Sequence, residues 1–372
     1  MKVLIIPENF PTDENPVAGI FIKDQINALS PFCKISVFNS NPWYRGKYQT
    51  IEGVNFYDFH AYSKKPPTLL KPPAYAWWAK QSFNLAKKIP KPDIIHLHGA
   101  SLRGKWVQKV ANFWNIPFVV TEHTGPWSAI ANRPAVFKRA KHTLENAAAI
   151  LPVSHHLKQE IIDSGIRAKQ IEVLGNPVDT HFFEVRKTPL SKSKNILFLG
   201  RLDPFKGGLR TLRAFHQILN PLQDYTLTIA GTGIEAPEIE SYIAQNQLQS
   251  RVVFLNHPIA RHDMRQLFHE STFLVFPSEF ESFGLVAAEA MATGLPVVIT
   301  NQTGPRDFTT TKTAIPVSPL RIDEIADGMV QMANQIEQYS PSEIRAFITE
   351  KFSLENYANH LMALYKNRVE EK

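Results

Sequence analysis

Short apolar runs recur along this chain, each followed by a segment patterned as a helix. VLII (3–6) precedes IFIKDQINAL (20–29), ILFL (196–199) precedes Gly207-Gly208 and LRTLRAF, and FLVF (273–276) precedes an Ala-rich segment from Phe283 to Thr293. Continuous apolar runs of this length suit strands buried on both faces. Strands alternating with helices cross over right-handed and build parallel sheets, so the fold class is α/β with parallel sheets. The pattern starts twice. Between the two starts lies FEVRKTPLSKSK (183–194), polar and poorly patterned as a linker would be. The expected division is 1–182, a linker at 183–194, 195–352, and a closing helix at 353–372 that packs back on the first domain. No sequence repeat of about 20–50 residues accompanies the repeated architecture.

A hydrophobic share of 44% with 20% charged residues excludes a disordered chain. The single cysteine, Cys33, excludes an internal disulfide framework and most cysteine-based metal sites, as suits a reducing cytoplasm. After Lys2 comes a short apolar strand and then Pro7-Glu8, not the pattern of a secretion signal. The weakly charged run from Ser282 to Pro305 is broken by Glu289, Gly294 and Pro296, which argues against a membrane span. The net charge of +7 is uneven. Residues 1–185 hold 22 Lys and Arg against 14 Asp and Glu, a net +8, and the remainder holds 19 against 20, a net −1. An anionic membrane or a phosphorylated substrate suits the first half, and nucleic acid is a further possibility on charge alone. Within that half, KKPPTLLKPPAYAWWAKQSFNLAKKIPK (64–91) interleaves Tyr75, Trp77, Trp78 and Phe83 with lysines. It reads either as a surface helix with its aromatics turned inward or as a membrane-interface patch.

The chemistry concentrates in TFLVFPSEFESFGLVAAEAMATGLPVVIT (272–300). A strand is closed by Pro277-Ser278, an acidic loop holds Glu279 and Glu281, and a helix follows that carries Glu289. Gly284 at that helix's start lets a ligand approach the backbone amides, a natural anion site. Glu281 and Glu289 would lie roughly 12 Å apart on a continuous helix, beyond the roughly 5–10 Å of a glycosidase pair. That spacing suits the two ends of one long ligand, or a core helix with one surface glutamate. In NILFLGRLDPFKGGL, Arg201, Lys206 and a helix opening at Gly207-Gly208 also make a phosphate-binding layout, without the residue order of a P-loop. Gly231 ends a further strand. In the first half, Gly19 opens a helix, His96 and His98 read as structural histidines, and His123 sits where strand FVVTE ends, the ligand-binding edge of such sheets.

Taken together, these motifs resemble the retaining glycosyltransferases of family 4, with the GT-B fold. ESFGLVAAE matches the family's E-x7-E signature, and Gly200 to Gly207 matches G-R-L-x3-K-G in full. TEHTG (121–125) resembles its T-x-H-G segment, and Asn176 to Asp179 (NPVD) its domain exit. NQTGPRDFTT resembles the Gly-Gly-Pro-x-Glu loop, with Thr303 in place of the first Gly and Asp307 in place of the Glu. The resemblance implies two Rossmann-like domains facing across a cleft, the first binding the acceptor and the second the nucleotide sugar. It implies a nucleotide diphosphate sugar as donor, a sugar or lipid-linked sugar as acceptor, retained configuration, and no cofactor. Catalytic roles fall on Glu281, His123, Arg201 and Lys206. Donor contacts fall on Gly19, Arg201, Lys206, Gly231, Glu281, Ser282, Phe283, Gly284, Leu285 and Glu289, with Glu281 at the sugar hydroxyls and Glu289 at the ribose. No metal is expected, since the chain has no Asp-x-Asp pair and protein cations face the diphosphate. The expected setting is cytoplasmic polysaccharide or glycolipid synthesis, with peripheral contact to an anionic inner membrane face. Alternatives are a nucleotide-sugar epimerase of the same fold, or a non-catalytic basic protein that binds membrane or nucleic acid. The latter leaves both motifs without a role.

Overall fold

A computed structural model describes residues 1–13, 18–43, 50–62, 67 and 71–371. They form two compact units, Met1–Pro177 with Leu354–Lys372, and Val178–Ser353. The first contains strands β1 (Lys2–Ile6), β2 (Lys34–Trp43), β3 (Asn55–Tyr62), β4 (Ile94–His98), β5 (Phe118–Glu122) and β6 (Ala149–Pro152). Its helices are α1 (Ile20–Leu29), α2 (Lys71–Ala86), α3 (Gly104–Trp114), α4 (Ser128–Ala131), α5 (Pro134–Asn146) and α6 (His155–Asp163). The second contains β7 (Asn195–Leu199), β8 (Thr226–Ala230), β9 (Val252–Leu255), β10 (Phe273–Phe276), β11 (Val297–Thr300) and β12 (Ala314–Val317). Its helices are α7 (Gly208–Gln217), α8 (Ala236–Gln245), α9 (Arg261–Glu270), α10 (Leu285–Ala292), α11 (Ile322–Gln335) and α12 (Pro341–Phe352); α13 (Leu354–Glu370) returns to the first unit.

Both sheets are six-stranded and parallel, with matching orders: β3-β2-β1-β4-β5-β6 and β12-β11-β10-β7-β8-β9. In each, the first strand in sequence pairs with the fourth, as Val3 with Ile94 and Ile196 with Phe273. The chain therefore runs outward in opposite directions from that pair, and the loops at its carboxyl end part to leave a crevice. Helices flank each sheet, and the inner strands are buried on both faces, as their continuous apolar runs require.

The closing helix α13 is built into the first unit's core. Tyr357, Ala358, Leu361 and Tyr365 pack with Ile22, Ile26 and Leu29 of α1, and each such aliphatic side chain contributes about 1.5–3 kcal/mol on burial. Tyr357 Oη also donates to Gln25 Oε1 at 2.8 Å.

Residues 183–194 lie within the second unit. Phe183 is fully buried against Phe268, and Arg186 donates to the carbonyls of Thr188 and Ser271. Of the segment's four cations, the fold turns Arg186 inward to satisfy these carbonyls. The aromatic stretch divides. Trp78 is 1% exposed in the core whereas Trp77 is 46% exposed, because neighbouring helix positions face directions about 100° apart. Lys64 and Lys65 lie outside the described residues. No helix among the described residues is long and apolar enough to cross a membrane.

Candidate functional site

In the second unit the motif residues meet at the crevice between β7 and β10. After β7 the chain turns through 200–207, where the Lys206 amide donates to the Asp203 carbonyl at 3.0 Å. Gly207, at φ +82°, then starts α7, and a Cβ there would stand 2.9 Å from the Pro277 carbonyl oxygen. Only glycine allows both that backbone and that approach. The Glu279 amide donates to the Phe205 carbonyl at 2.8 Å, tying the two loops together. Arg210, one turn after Lys206 on α7, donates to Glu279 at 2.8 Å.

This framework brings Lys206 Nζ onto Glu281 Oε1, with side chains 18% and 13% exposed. Arg201 is different. Its side chain is 76% exposed, with Asp203 at 3.1 Å. The helix expected from Phe283 begins at Leu285, because Gly284 takes φ +97° as its N-cap. Glu281 and Ser282 therefore stand in the loop before α10, and Phe283 is buried. The first-turn amides of α10, beginning at Leu285, have no intrahelical acceptors and carry the helix's positive end beside Lys206 and Glu281. Glu289, one turn into α10, is 3% exposed, and Arg261 Nη2 reaches its Oε1 at 3.2 Å. Gly231 is required by packing, since its Cβ would lie 1.9 Å from the Gly200 carbonyl oxygen.

The loop after β11 explains one departure from the family pattern. Thr303, where the resembled Gly-Gly-Pro-x-Glu pattern expects glycine, holds φ +62°, a conformation that costs a β-branched residue about 1–3 kcal/mol. Its Oγ1 accepts from the Glu281 amide at 3.3 Å, and the Gly304 amide donates to the Glu281 carbonyl at 2.9 Å. The strained threonine thereby clamps the backbone of the loop's glutamate.

In the first unit, Gly19 caps α1 at φ +70°, its Cβ position 2.3 Å from the Asn9 carbonyl oxygen. His96 and His98 lie on one face of β4 with rings stacked at 4.5 Å, and His98 Nδ1 is 3.0 Å from His123 Nε2. Burial pushes the His96 and His123 imidazoles down to about 3, with His123's charge a further influence on His96. His98 is also held well below the ordinary value, by burial first and then by the neighbouring histidines. His123 keeps some surface exposure but is neutral near pH 7, so it acts as a hydrogen-bonding group, not a cation. Its Nδ1 has no hydrogen-bond partner among the described residues. Glu122 holds the turn in shape, accepting from the amides of Ala100, His123 and Thr124, each at 3.0 Å. Among the described residues, no three His, Cys, Asp or Glu side chains are grouped to hold a metal ion.

Arg210, Arg261, Thr303 and Glu122 carry structural work that the sequence pattern does not announce. Arg210 is visible as a cation one helical turn beyond Lys206. Arg261 has no local signal, because its partner Glu289 comes from another element, and Glu122 bonds both to the next two residues and to the distant Ala100 amide.

Two family models match the chain, one over each unit. "Glycosyltransferase Family 4" matches residues 32–182 and "Glycosyl transferases group 1" matches residues 193–335. An uncharacterised glycosyltransferase of Methanocaldococcus jannaschii is 26% identical over 87% of this chain and 87% of its own. A D-inositol 3-phosphate glycosyltransferase of Frankia alni is 29% identical over 55% of this chain and 56% of its own. Among solved structures, the sucrose-phosphate synthase of Thermosynechococcus elongatus superposes with a TM-score of 0.83 over 100% of both chains at 17% identity. HepE of Anabaena in complex with UDP gives 0.78 at 19% identity over 99% of this chain and 100% of that one. At such identities the structural likeness establishes the fold.

Proposed function

The chain belongs to the family 4 glycosyltransferases of GT-B fold, matched over both units, and from that we propose that it moves a sugar from a nucleoside diphosphate to an acceptor hydroxyl with retained configuration. The observation that carries the reading is Lys206 on Glu281, beside the N-terminus of α10, at the crevice of the second sheet. In the proposed reaction the bond from the anomeric carbon to the diphosphate oxygen breaks. A bond to the acceptor oxygen forms on the same face, and the acceptor's proton passes to the departing phosphate oxygen. Charge thus grows on the diphosphate, where Lys206, Arg201 and the amides of α10 stabilise it electrostatically. Glu281 orients the sugar hydroxyls and Glu289 takes the ribose hydroxyls, with Arg261 fixing its carboxylate. His123, neutral and with Nδ1 unpartnered, is assigned to the sugar, and Gly19 to the phosphates.

Protein cations neutralise the leaving group in this scheme, so activity is expected to survive EDTA. Relatives in this fold are described in complex with UDP and with UDP-glucose, and a uridine donor is the first choice. The acceptor is a sugar or lipid-linked sugar of cell-surface polysaccharide or glycolipid synthesis, reached from the cytoplasmic face of a membrane. A thermal-shift series of UDP-, GDP- and ADP-sugars tests the donor class. A ligand at one hundred times its Kd adds about 2.7 kcal/mol of stability. If no nucleotide sugar raises the midpoint, the proposal fails.

A further inference from the structure

The first unit contains a cavity of ≈ 820 Å³ whose walls come from α2, α3 and the start of α5. That volume falls in the range of small-molecule sites. Local spacing builds the walls. Tyr75, Trp78 and Phe83 share one face of α2, Trp106 comes from α3, and Trp78 and Trp106 are 1% and 2% exposed. Both buried indole N–H groups lack a hydrogen-bond partner among the described residues. Six basic residues line the same cavity, Lys71, Lys80, Lys105, Lys109, Arg133 and Arg139, against one carboxylate, Glu8.

The charge is predominantly positive. Neither α2 nor α3 contains an Asp or Glu. Among the described residues Lys80, Lys105, Lys109, Arg133 and Arg139 are not paired with a carboxylate; Arg139 is held instead by the Ser101 carbonyl at 3.2 Å. Lys105 and Lys109 are one helical turn apart, a like-charge spacing that destabilises an isolated helix. A set of exposed, mutually repelling cations around an aromatic, mainly apolar interior matches a ligand of the opposite design. Such a ligand has an anionic head for the rim and hydrocarbon for the walls.

We propose that this cavity binds a phosphate- or diphosphate-headed hydrocarbon, the head on Lys105, Lys109 and Arg139 and the chain along Tyr75, Phe83 and Trp106. On the function proposed above, this ligand is the lipid that carries the acceptor; its binding to the cavity does not depend on that reading.

Farnesyl diphosphate is the probe, titrated calorimetrically into the full-length protein, with UDP titrated separately. Wild type is expected to bind farnesyl diphosphate, more weakly as salt rises. Inorganic diphosphate, glucose 6-phosphate and farnesol, each lacking half of the design, are expected to bind at least about tenfold more weakly. Lys105→Glu/Lys109→Glu is expected to weaken farnesyl diphosphate by about tenfold or more while leaving UDP within about twofold, because charge-assisted contacts are lost at one site only. UDP binding reports that the variant is folded. If it is not, Lys105→Gln/Lys109→Gln serves in its place with the same expectation. Wild type that binds UDP but not farnesyl diphosphate overturns the inference and leaves the proposed function standing. Equal binding of inorganic diphosphate, glucose 6-phosphate or farnesol overturns the amphiphile, and unchanged farnesyl diphosphate binding in the charge-reversed variant overturns the site. Wild type that binds farnesyl diphosphate but no nucleotide supports the cavity and overturns the proposed function.

Discussion

Replacing Lys206 by alanine separates two roles that its contact with Glu281 combines. The pair is mostly shielded, with side chains 18% and 13% exposed. Removing the ammonium strands a partly buried carboxylate, at about 1–3 kcal/mol. At about 2–4 °C per kcal/mol for a unit of this size, the midpoint falls by about 2–12 °C. Adding Glu281→Gln removes the stranded charge and should return most of that loss, since coupling within a contacting pair is what a double-mutant cycle reads. Turnover should behave differently. Removing one preorganised group that faces growing charge costs about 10²–10³-fold in kcat, and the second substitution should not restore it. UDP affinity should fall much less than kcat, because the charge that Lys206 meets increases toward the transition state. Calorimetric melting and initial rates on the four proteins of the cycle provide the readout. A Lys206→Ala enzyme with wild-type turnover would show that the lysine serves only to neutralise Glu281, and the phosphate assignment would fall.

Glu289→Gln should weaken UDP binding by about tenfold or more, as a charged hydrogen bond to a hydroxyl is worth about 1.5–3 kcal/mol; UDP bound as tightly as by wild type would remove the ribose role. Acid should destabilise the first unit through its buried imidazoles. His96 is held neutral with its value lowered to about 3, so the unfolded chain binds the extra proton below about 6.5. Stability is then full above that pH and falls by about 2 kcal/mol between pH 6.5 and 5 for this residue. His96→Gln should flatten that slope in melts across the interval, and an unchanged slope would refute the assignment. Exposed Trp77 and Phe113, with Lys87 stacked at 4.4 Å over Phe83, suit an anionic membrane surface, each nearby lysine adding about 1 kcal/mol at low salt. Lys87→Glu/Lys88→Glu should reduce co-sedimentation with anionic vesicles, and wild type left in the supernatant at low salt would end the membrane proposal.

Local pattern was enough to establish a great deal here. Four-residue apolar runs and helical periods depend only on near neighbours, so β1, β7, β10 and the two-sheet architecture were readable along the chain, as was α1 at Ile20–Leu29. The E-x7-E and G-R-L-x3-K-G segments were readable for the same reason, each being a contiguous loop-to-helix turn. What the residues do to one another was not readable. Lys206 and Glu281 are 75 residues apart and meet only because β7 and β10 are neighbours at the point where the strand order reverses. The clamp of Thr303 on Glu281 needs a backbone of φ +62° that no propensity assigns to threonine. Trp77 and Trp78 are indistinguishable in composition, and the rotation of α2 against α3 sends one outward and the other into the core. The cation-ringed cavity arises in the same way, from faces of separate helices. Chain-local forces set which elements form; strand order and helix packing set which side chains share a site, and that is where the chemistry was decided.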